Sequence, residues 1–258
     1  SSERWALEAY HLGNKTGEPD TITAVGAQLG EIRYFQGLYG ELVEQTARFA
    51  GAKDSVASWR AAFALSLSEG GREQEALELA RVEDLRAIRS DDTWAIAAII
   101  WAAICARHAF EGVEDLYELF SPYPGQLVAT GGIVVYGSTD WALGIFAATL
   151  GRHDDAHRHF ADSAEVTARL GAPLLLALTR ASWARSLIAR GFPEDIDRAR
   201  PMLADAGEVA ERMGAGGITR AVAECNAALS ALTLSSDDDR PGPAPEAPGA
   251  HLRSRTSR

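Results

Sequence analysis

Hydrophobic residues recur at three- and four-residue spacing along nearly the whole chain, from about Glu3 to Leu234. This spacing predicts amphipathic helices, and the many alanines favour the same structure. Short clusters of Gly, Pro or Asp interrupt the pattern, as is typical of one helix ending and another beginning. We predict an all-α protein of roughly twelve helices, with interruptions at 16–20, 51–54, 69–72, 90–92, 150–152, 170–173, 190–195 and 214–217.

Three segments depart from this helical pattern. "GGIVVYGS" (131–138) has the composition of a strand, but a single strand has no partner, so we interpret it as the lead into the next helix. "FSPYPGQ" (120–126) is predicted to be an irregular loop stiffened by two prolines. Residues 235–258 are rich in Pro, Gly, Ser and charge, which predicts a disordered tail after a helical domain spanning 1–234.

The helical part contains an internal repeat. "AHRHFADSAEVTARLGA" (156–172) aligns without a gap with "ARPMLADAGEVAERMGA" (199–215), with eight identities in seventeen positions at a shift of 43. A shift of 80 aligns "GREQEA" (71–76) with "GRHDDA" (151–156), which is close to two periods of about 40. A repeated helix pair of this length predicts a right-handed α-solenoid of tetratricopeptide-like units, in which stacked pairs bury a continuous core.

The positions shared by the repeat copies are small residues. Glycine at a helix end allows the left-handed turn that stops the helix, and alanine lets two helices approach closely. We therefore assign a repeat-defining structural role to Gly71, Ala76, Gly151, Ala156, Gly171, Ala199 and Gly214. Tryptophans spaced by 42, 40 and 42 residues give a softer form of the same signal, at Trp59, Trp101, Trp141 and Trp183.

The net charge and the distribution of apolar residues limit the kinds of partner that this chain is expected to bind. The net charge is −11, and the tail contributes equal numbers of acidic and basic residues, so the folded part carries the deficit. Such an acidic surface argues against binding of nucleic acid by this segment. No uninterrupted apolar run is long enough to predict a membrane span. Cys105 and Cys225 lie in apolar helical runs, which favours two reduced thiols and a cytoplasmic protein over a disulfide.

One stretch, "GRHDDAHRHF" (151–160), resembles a metal site at first sight. His153 and His157 lie one helical turn apart and are candidate metal ligands, with Asp154 beside them, whereas His159 points to another side of the helix. Two histidines on one helix lack the further ligands of a zinc site. We expect no bound metal or other cofactor, and we interpret the charged positions as the solvated face of a repeat helix.

Motifs for catalysis are also missing from the sequence. There is no H-E-x-x-H, C-x-x-C or G-x-S-x-G, and the remaining carboxylates are spread along helical faces near arginines. The aromatic residues of "RYFQGLYGE" (33–41) are compatible with the lining of a groove, although at helical spacing they are more often core residues. We therefore expect that this segment is not an enzyme.

The repeat residues carry a family resemblance. "TLGRHDDAHRHFADSAEVTARLGAPLLLALTRASWARSLIARG" (149–191), "DRARPMLADAGEVAERMGA" (197–215) and "LYELFSPYPG" (116–125) together resemble the C-terminal tetratricopeptide-like array of bacterial STAND-type ATPase regulators. Those regulators join an AAA-like ATPase core to a LuxR-type DNA-binding domain or to a nucleotide-cyclase domain. The resemblance covers roughly Trp59 to Gly217. It implies a C-terminal fragment of a larger cytoplasmic regulator, with ATPase and effector domains linked in the parent chain.

Together these features predict a non-catalytic interaction or sensor module. Its solenoid surface is expected to bind a protein segment or a small inducer, with no binding of nucleic acid or membrane. The alternative hypothesis is an all-helical enzyme or metal-binding protein that uses the helix carrying His153, Asp154 and His157. A metal assay and the sequence upstream of Ser1 are the observations that discriminate between these two hypotheses.

Overall fold

A computed structural model describes residues 2–18, 21–131 and 133–238. The described part is mostly helical, which confirms the all-α prediction in its coarse form, and it contains one small β-hairpin. The helices are α1 (Ser2–Thr16), α2 (Thr21–Gln36), α3 (Val43–Ala50), α4 (Ala57–Glu69), α5 (Glu73–Val82), α6 (Trp94–Cys105), α7 (Val113–Phe120), α8 (Thr139–Thr149), α9 (His153–Arg169), α10 (Pro173–Arg190), α11 (Pro193–Met213) and α12 (Gly216–Asp238). Two short 3₁₀ turns span Tyr39–Leu42 and Ala87–Ser90.

Four of the glycines that the sequence predicts to define a repeat lie in turns of the same geometry at helix ends. Each has a φ between +65° and +76°, in the left-handed region. In each turn the next residue donates its backbone N–H to a carbonyl five positions earlier, at 2.8–3.1 Å. This is the hydrogen bond of a Schellman helix end, and a side chain at such a φ is strained. The four residues are Gly71, Gly151, Gly171 and Gly214.

The helices after α3 pack in two rows. Helices α4, α6, α8, α10 and α12, here called the inner row, each contact the next member of the row. Helices α5, α7, α9 and α11, here called the outer row, pack mainly against their neighbours in sequence. The side chains of α6 and α8 are buried on nearly all sides, as expected for helices enclosed between neighbours.

Small residues allow this close packing. Ala76, Ala156 and Ala199 are fully buried at helix contacts. A Cβ on Gly144 of α8 would lie 2.7 Å from the ring of Phe160, so α8 and α9 meet at a distance that only glycine permits. Phe160 itself is almost completely buried, and burial of a side chain of this size contributes roughly 2–3 kcal/mol to stability.

Helix α2 brings the two ends of the helical array together. Besides its contact with α1, it packs against the hairpin, the Tyr39–Leu42 turn and α12. Its C-terminal end touches the start of α12 backbone to backbone, because a Cβ on Gly217 would lie 2.7 Å from the Tyr34 carbonyl oxygen. Helix α2 and the start of α12, which are far apart in sequence, therefore lie together beside the other helices of the inner row.

The interpretation of 131–138 as the lead into a helix is wrong. Strand β2 (Val134–Ser138) pairs antiparallel with β1 (Leu127–Thr130), with Leu127 opposite Ser138 and a bulge between Val128 and Ala129. The partner strand has only four residues, which is too short to show an alternating pattern in the sequence. The hairpin then gains its stability by packing on α6 and α2.

The last helix extends into the segment predicted as a tail. Helix α12 continues to Asp238, beyond the predicted domain end at Leu234. The rest of the predicted disordered tail, 239–258, lies outside the described residues. Among the helices that are described, none combines the length and the apolar character needed to cross a membrane.

Candidate functional site

The His and Asp stretch forms the first half of α9. His157 and His159 contact different partners, and the buried Nδ1 of His153 has no hydrogen-bond partner among the described residues. The two ring nitrogens of His157 lie 2.9 Å from Trp183 Nε1 and 2.7 Å from an Arg198 nitrogen, both of them donors. Burial and the positive charge of Arg198 lower the pKa of His157. A neutral imidazole has one free lone pair, and donors face both of its nitrogens here. Asp154 is exposed and lies 3.8 Å from Arg190. His157 is therefore poorly placed to join His153 and Asp154 in a metal site.

His159, which the sequence placed on another side of α9, forms a buried pair instead. Its Nδ1 lies 2.9 Å from Asp140 Oδ1, and Asp140 is fully buried. The other carboxylate oxygen of Asp140 accepts the Gly125 N–H at 2.6 Å. Asp162 completes the one described group whose side-chain spacing would suit a metal ion, but Asp162 is exposed. The hydrogen bonds satisfy Asp140 and tie the loop before β1 to α8 and α9.

One cavity of the described structure lies between α2, the hairpin and the inner row. It has a volume of about 240 Å³ and is mostly apolar. Side chains of α4 and α6 form one wall, including Trp59, Leu65, Ile96 and Ile100, and Trp141 of α8 adds to the lining. Apolar, concave sites with a few polar groups are the usual form of small-molecule sites in proteins. We call this space the inner cavity.

The inner cavity exists because the face of α2 that borders it carries very small residues. Ala24, Gly26, Ala27 and Gly30 line it along successive helical turns. A Cβ added to Gly26 would lie 3.6 Å from Trp59, and one added to Gly30 would lie 3.7 Å from Tyr39. Both are ordinary contact distances. The two glycines therefore leave space open rather than relieve a clash.

One ionisable carboxyl group borders this apolar space. Of the described residues that line the inner cavity, Glu31 alone carries a formal charge when ionised. Burial raises the pKa of Glu31 from 4.5 to about 8, because an apolar environment disfavours the charged carboxylate. No described residue donates a hydrogen bond to this carboxyl group or forms an ion pair with it. Such a perturbed group in a cleft is typical of a binding or catalytic site.

Tyrosines surround Glu31. Burial raises the pKa values of Tyr34 and Tyr39, and the negative charge of Glu31 raises them further. In Tyr34 the charge of Glu69 adds to this effect. Burial, together with the charge of Glu31, raises the pKa of Tyr136 to about 12. All three phenols therefore stay neutral at physiological pH. They give the inner cavity aromatic faces and hydroxyl groups without a second charge.

The basic residue nearest to Glu31 in sequence is already engaged. The guanidinium of Arg33 lies 2.6 Å from Glu3 and 3.7 Å from Glu41. Since it is held between two other carboxylates, Arg33 does not neutralise Glu31. The described lining of the inner cavity consequently carries a net negative charge whenever Glu31 is ionised.

A neighbouring cluster of charges lies where α2 meets α12. Glu69 is almost buried and contacts both Arg220 and Arg107, the latter at 3.5 Å. Glu224 lies 2.7 Å from Arg185 and 3.6 Å from Arg107. This ionic cluster links α4, the turn after α6, α10 and α12 beside the inner cavity. Its three arginines are engaged by Glu69 and Glu224, and none of them forms an ion pair with Glu31.

Comparisons with known proteins give no further constraint. No protein-family model, curated protein or solved structure matches the chain.

The sequence pattern contained part of this site. Tyr34 and Tyr39 belong to the segment compatible with a groove lining, and both line the inner cavity. Glu31 was missed. It lies at helical spacing from Ala24, Ala27 and Tyr34, so an acidic residue on an otherwise small and apolar helical face was the available signal. That signal indicates a binding site only when the residues that face α2 across the cavity are known.

Proposed function

We propose that this chain is a non-catalytic sensor module that binds a small, largely apolar molecule in the inner cavity. The observation that carries the proposal is the cavity itself, which is apolar and lined by the unpartnered Glu31. A buried, ionisable group without a partner destabilises a folded protein, and a ligand that satisfies it removes that cost. The arrangement therefore favours ligand binding over a purely structural role.

The finer architecture belongs to the same proposal. The two-row packing and the equivalent glycine turns support a tetratricopeptide-like solenoid, with the inner row as its concave face. Helix α2 borders the cavity on that face and packs against α12. A small molecule between α2 and the inner row is therefore a better fit than a long peptide lying along the groove, the other partner that we considered.

The proposed signal is the packing of α2. A ligand in the inner cavity contacts α2, α4 and α6 at once, and so stabilises the arrangement in which α2 closes over the inner row. In a parent regulator of the kind that the resemblance implies, linked ATPase and effector domains would respond to this stabilisation. The module itself performs no chemistry in this proposal.

A ligand screen with a filled-cavity variant tests the proposal. A set of small apolar compounds is screened by thermal unfolding against the wild-type chain, Gly30→Leu and Gly207→Leu. Gly207 is a matched control, because it is also helical, its added Cβ would lie 3.7 Å from Val222, and it lies outside the inner cavity. A ligand at about 100 times its Kd stabilises by about 2.7 kcal/mol, which is a shift of several degrees.

The expected hits raise the unfolding temperature of the wild-type chain and of Gly207→Leu, but not that of Gly30→Leu. Hits that stabilise Gly30→Leu equally would place binding elsewhere and overturn the proposal. A screen without any stabilising compound would also count against it.

A further inference from the structure

We infer that the ligand of the inner cavity carries one positive charge on an otherwise apolar body, and that Glu31 is its counter-ion. This inference rests on the proposed function, since it names the chemical class of the molecule bound at that site. Three observations carry it: the single carboxyl group, the aromatic lining and the lack of basic residues in the described lining.

Charge complementarity gives the sign. When Glu31 is ionised, an anionic ligand would meet its carboxylate with no lysine or arginine among the described lining residues to offset the repulsion. A cation, by contrast, forms a charge-assisted hydrogen bond with Glu31 in a low-dielectric space, where such bonds are strong. It also removes the cost of an ionised carboxylate without a partner.

The aromatic lining favours the same sign. The rings of Tyr34, Tyr39, Trp59, Tyr136 and Trp141 all border the inner cavity. Aromatic faces attract cations through their quadrupole, and surrounding rings are a common way to hold an ammonium group. Trp59 is held in place by stacking on Phe49, with ring centroids 4.3 Å apart. This ring is therefore fixed before any ligand arrives.

The other lining residues limit the polarity of the rest of the ligand. Alanine, isoleucine and leucine side chains cover most of the other surface, and threonine and serine hydroxyls are few. A second charge or a highly hydroxylated body would lose solvation there without gaining partners. The class that fits is a monovalent amine or ammonium compound with an alkyl or aromatic body.

Binding of a cation should be linked to the release of a proton. Glu31 is mostly protonated in the empty site at neutral pH, because burial raises its pKa to about 8. The groups that face it are Tyr34 on α2, Tyr39 on the 3₁₀ turn and Tyr136 on β2, and all three stay neutral in this range. Cation affinity should therefore rise with pH between about 6 and 8 and then level off. A neutral ligand that accepts a hydrogen bond from protonated Glu31 should show the opposite trend.

The test uses three probes with the same alkyl chain: hexylammonium, hexan-1-ol and hexanoate. Their affinities are measured by calorimetric titration against the wild-type chain, Glu31→Gln and Gly30→Leu, at about pH 6 and about pH 9. We expect hexylammonium to bind the wild-type chain about tenfold more tightly than hexan-1-ol at the higher pH, and hexanoate to bind weakest. Glu31→Gln should lose about tenfold for hexylammonium and stay within about twofold for hexan-1-ol.

The other outcomes separate the two proposals. If hexan-1-ol binds as tightly as hexylammonium, or if Glu31→Gln leaves hexylammonium binding unchanged, the inference about charge is wrong. If in addition Gly30→Leu abolishes binding of both probes, the inner cavity remains a ligand site for neutral molecules. If no probe binds the wild-type chain at up to about 10 mM, the proposed function and this inference fail together.

Discussion

Replacing Glu31 by glutamine should stabilise the protein, and by an amount that depends on pH. Glutamine has nearly the same shape as glutamate but cannot ionise, so Glu31→Gln leaves the packing of α2 in place and removes only the titration. In the unfolded chain the Glu31 carboxyl group ionises near pH 4.5, whereas in the folded protein its pKa is about 8. The folded state therefore binds this proton more tightly than the unfolded state does.

The sign of the effect follows from that difference. Below about pH 4.5 the carboxyl group is protonated in both states and has no effect on the free energy of unfolding. As the pH rises from about 4.5 to about 8, Glu31 ionises in the unfolded state but stays protonated in the folded state. Ionisation stabilises the unfolded state, so the free energy of unfolding falls. At pH 7 the pH lies about 2.5 units above the pKa of the unfolded chain, and each unit lowers the free energy of unfolding by about 1.36 kcal/mol, or roughly 3 kcal/mol in total. Partial contact of the Glu31 side chain with solvent reduces this effect to roughly 2 kcal/mol.

Urea denaturation at a series of pH values measures this effect. The free energy of unfolding of Glu31→Gln should exceed that of the wild-type chain by roughly 2–3 kcal/mol at pH 7, and the two should converge near pH 4.5. Glu44 provides the control, because it is an exposed glutamate on α3, and Glu44→Gln should differ from the wild-type chain by less than about 0.5 kcal/mol throughout. A pH-independent difference, or a destabilised Glu31→Gln, would refute the assignment of Glu31 as a desolvated carboxyl group without a partner.

Four further changes test the packing around the inner cavity and the repeats. Gly30→Ala should stabilise the chain by about 0.5–1 kcal/mol in urea denaturation, because the added methyl group has room and helical glycine is unfavourable; destabilisation would show that the space is not open. Gly171→Val should lower the thermal midpoint by several degrees, since a β-branched residue at a φ of +65° costs about 1–2 kcal/mol or more; an unchanged midpoint would contradict the helix-end geometry. Ala199→Trp should destabilise by more than about 3 kcal/mol or prevent folding, as judged by circular dichroism, because Ala199 is fully buried; a native-like melt would argue against the α10–α11 contact. Glu69→Gln should cost about 2–3 kcal/mol in chemical denaturation, because Arg107 and Arg220 lose their shared carboxylate, and a neutral result would show that the ionic cluster does not stabilise the structure.

Local features of the fold were predictable from the sequence. Helix ends depend on a single residue and its neighbours, so Gly71 and Gly151 could be placed by pattern alone. The β-hairpin could not, because β1 is four residues long and owes its stability to contacts with α6. The period of about 40 residues led to the helical pairs, but it did not indicate what lies over the inner row.

The inner cavity was beyond sequence analysis because it is built from distant residues. Its α2 wall meets the α6 and α10 walls through long-range packing of α2, which includes a contact that joins Gly37 and Arg220 across 183 positions. The sequence pattern pointed to the five His and Asp residues of 153–159, but the structure gives His157 and His159 separate hydrogen-bonded partners. Glu31 has a more unusual environment than those residues, but in the sequence its neighbours on α2 include several alanines and glycines that carry no chemical signal.

The most direct test of the account is to observe the inner cavity while a ligand binds. The chain contains six tryptophans, and of these Trp59 and Trp141 line the inner cavity, whereas Trp94 and Trp183 do not. In protein labelled with 5-fluorotryptophan, each resonance is assigned by a Trp→Phe variant, and hexylammonium is then titrated at about pH 9, where Glu31 is ionised. We expect saturable shifts of the Trp59 and Trp141 resonances, and we expect Gly30→Leu to abolish them. Unchanged Trp59 and Trp141 resonances, or larger shifts at Trp94 and Trp183, would contradict the account.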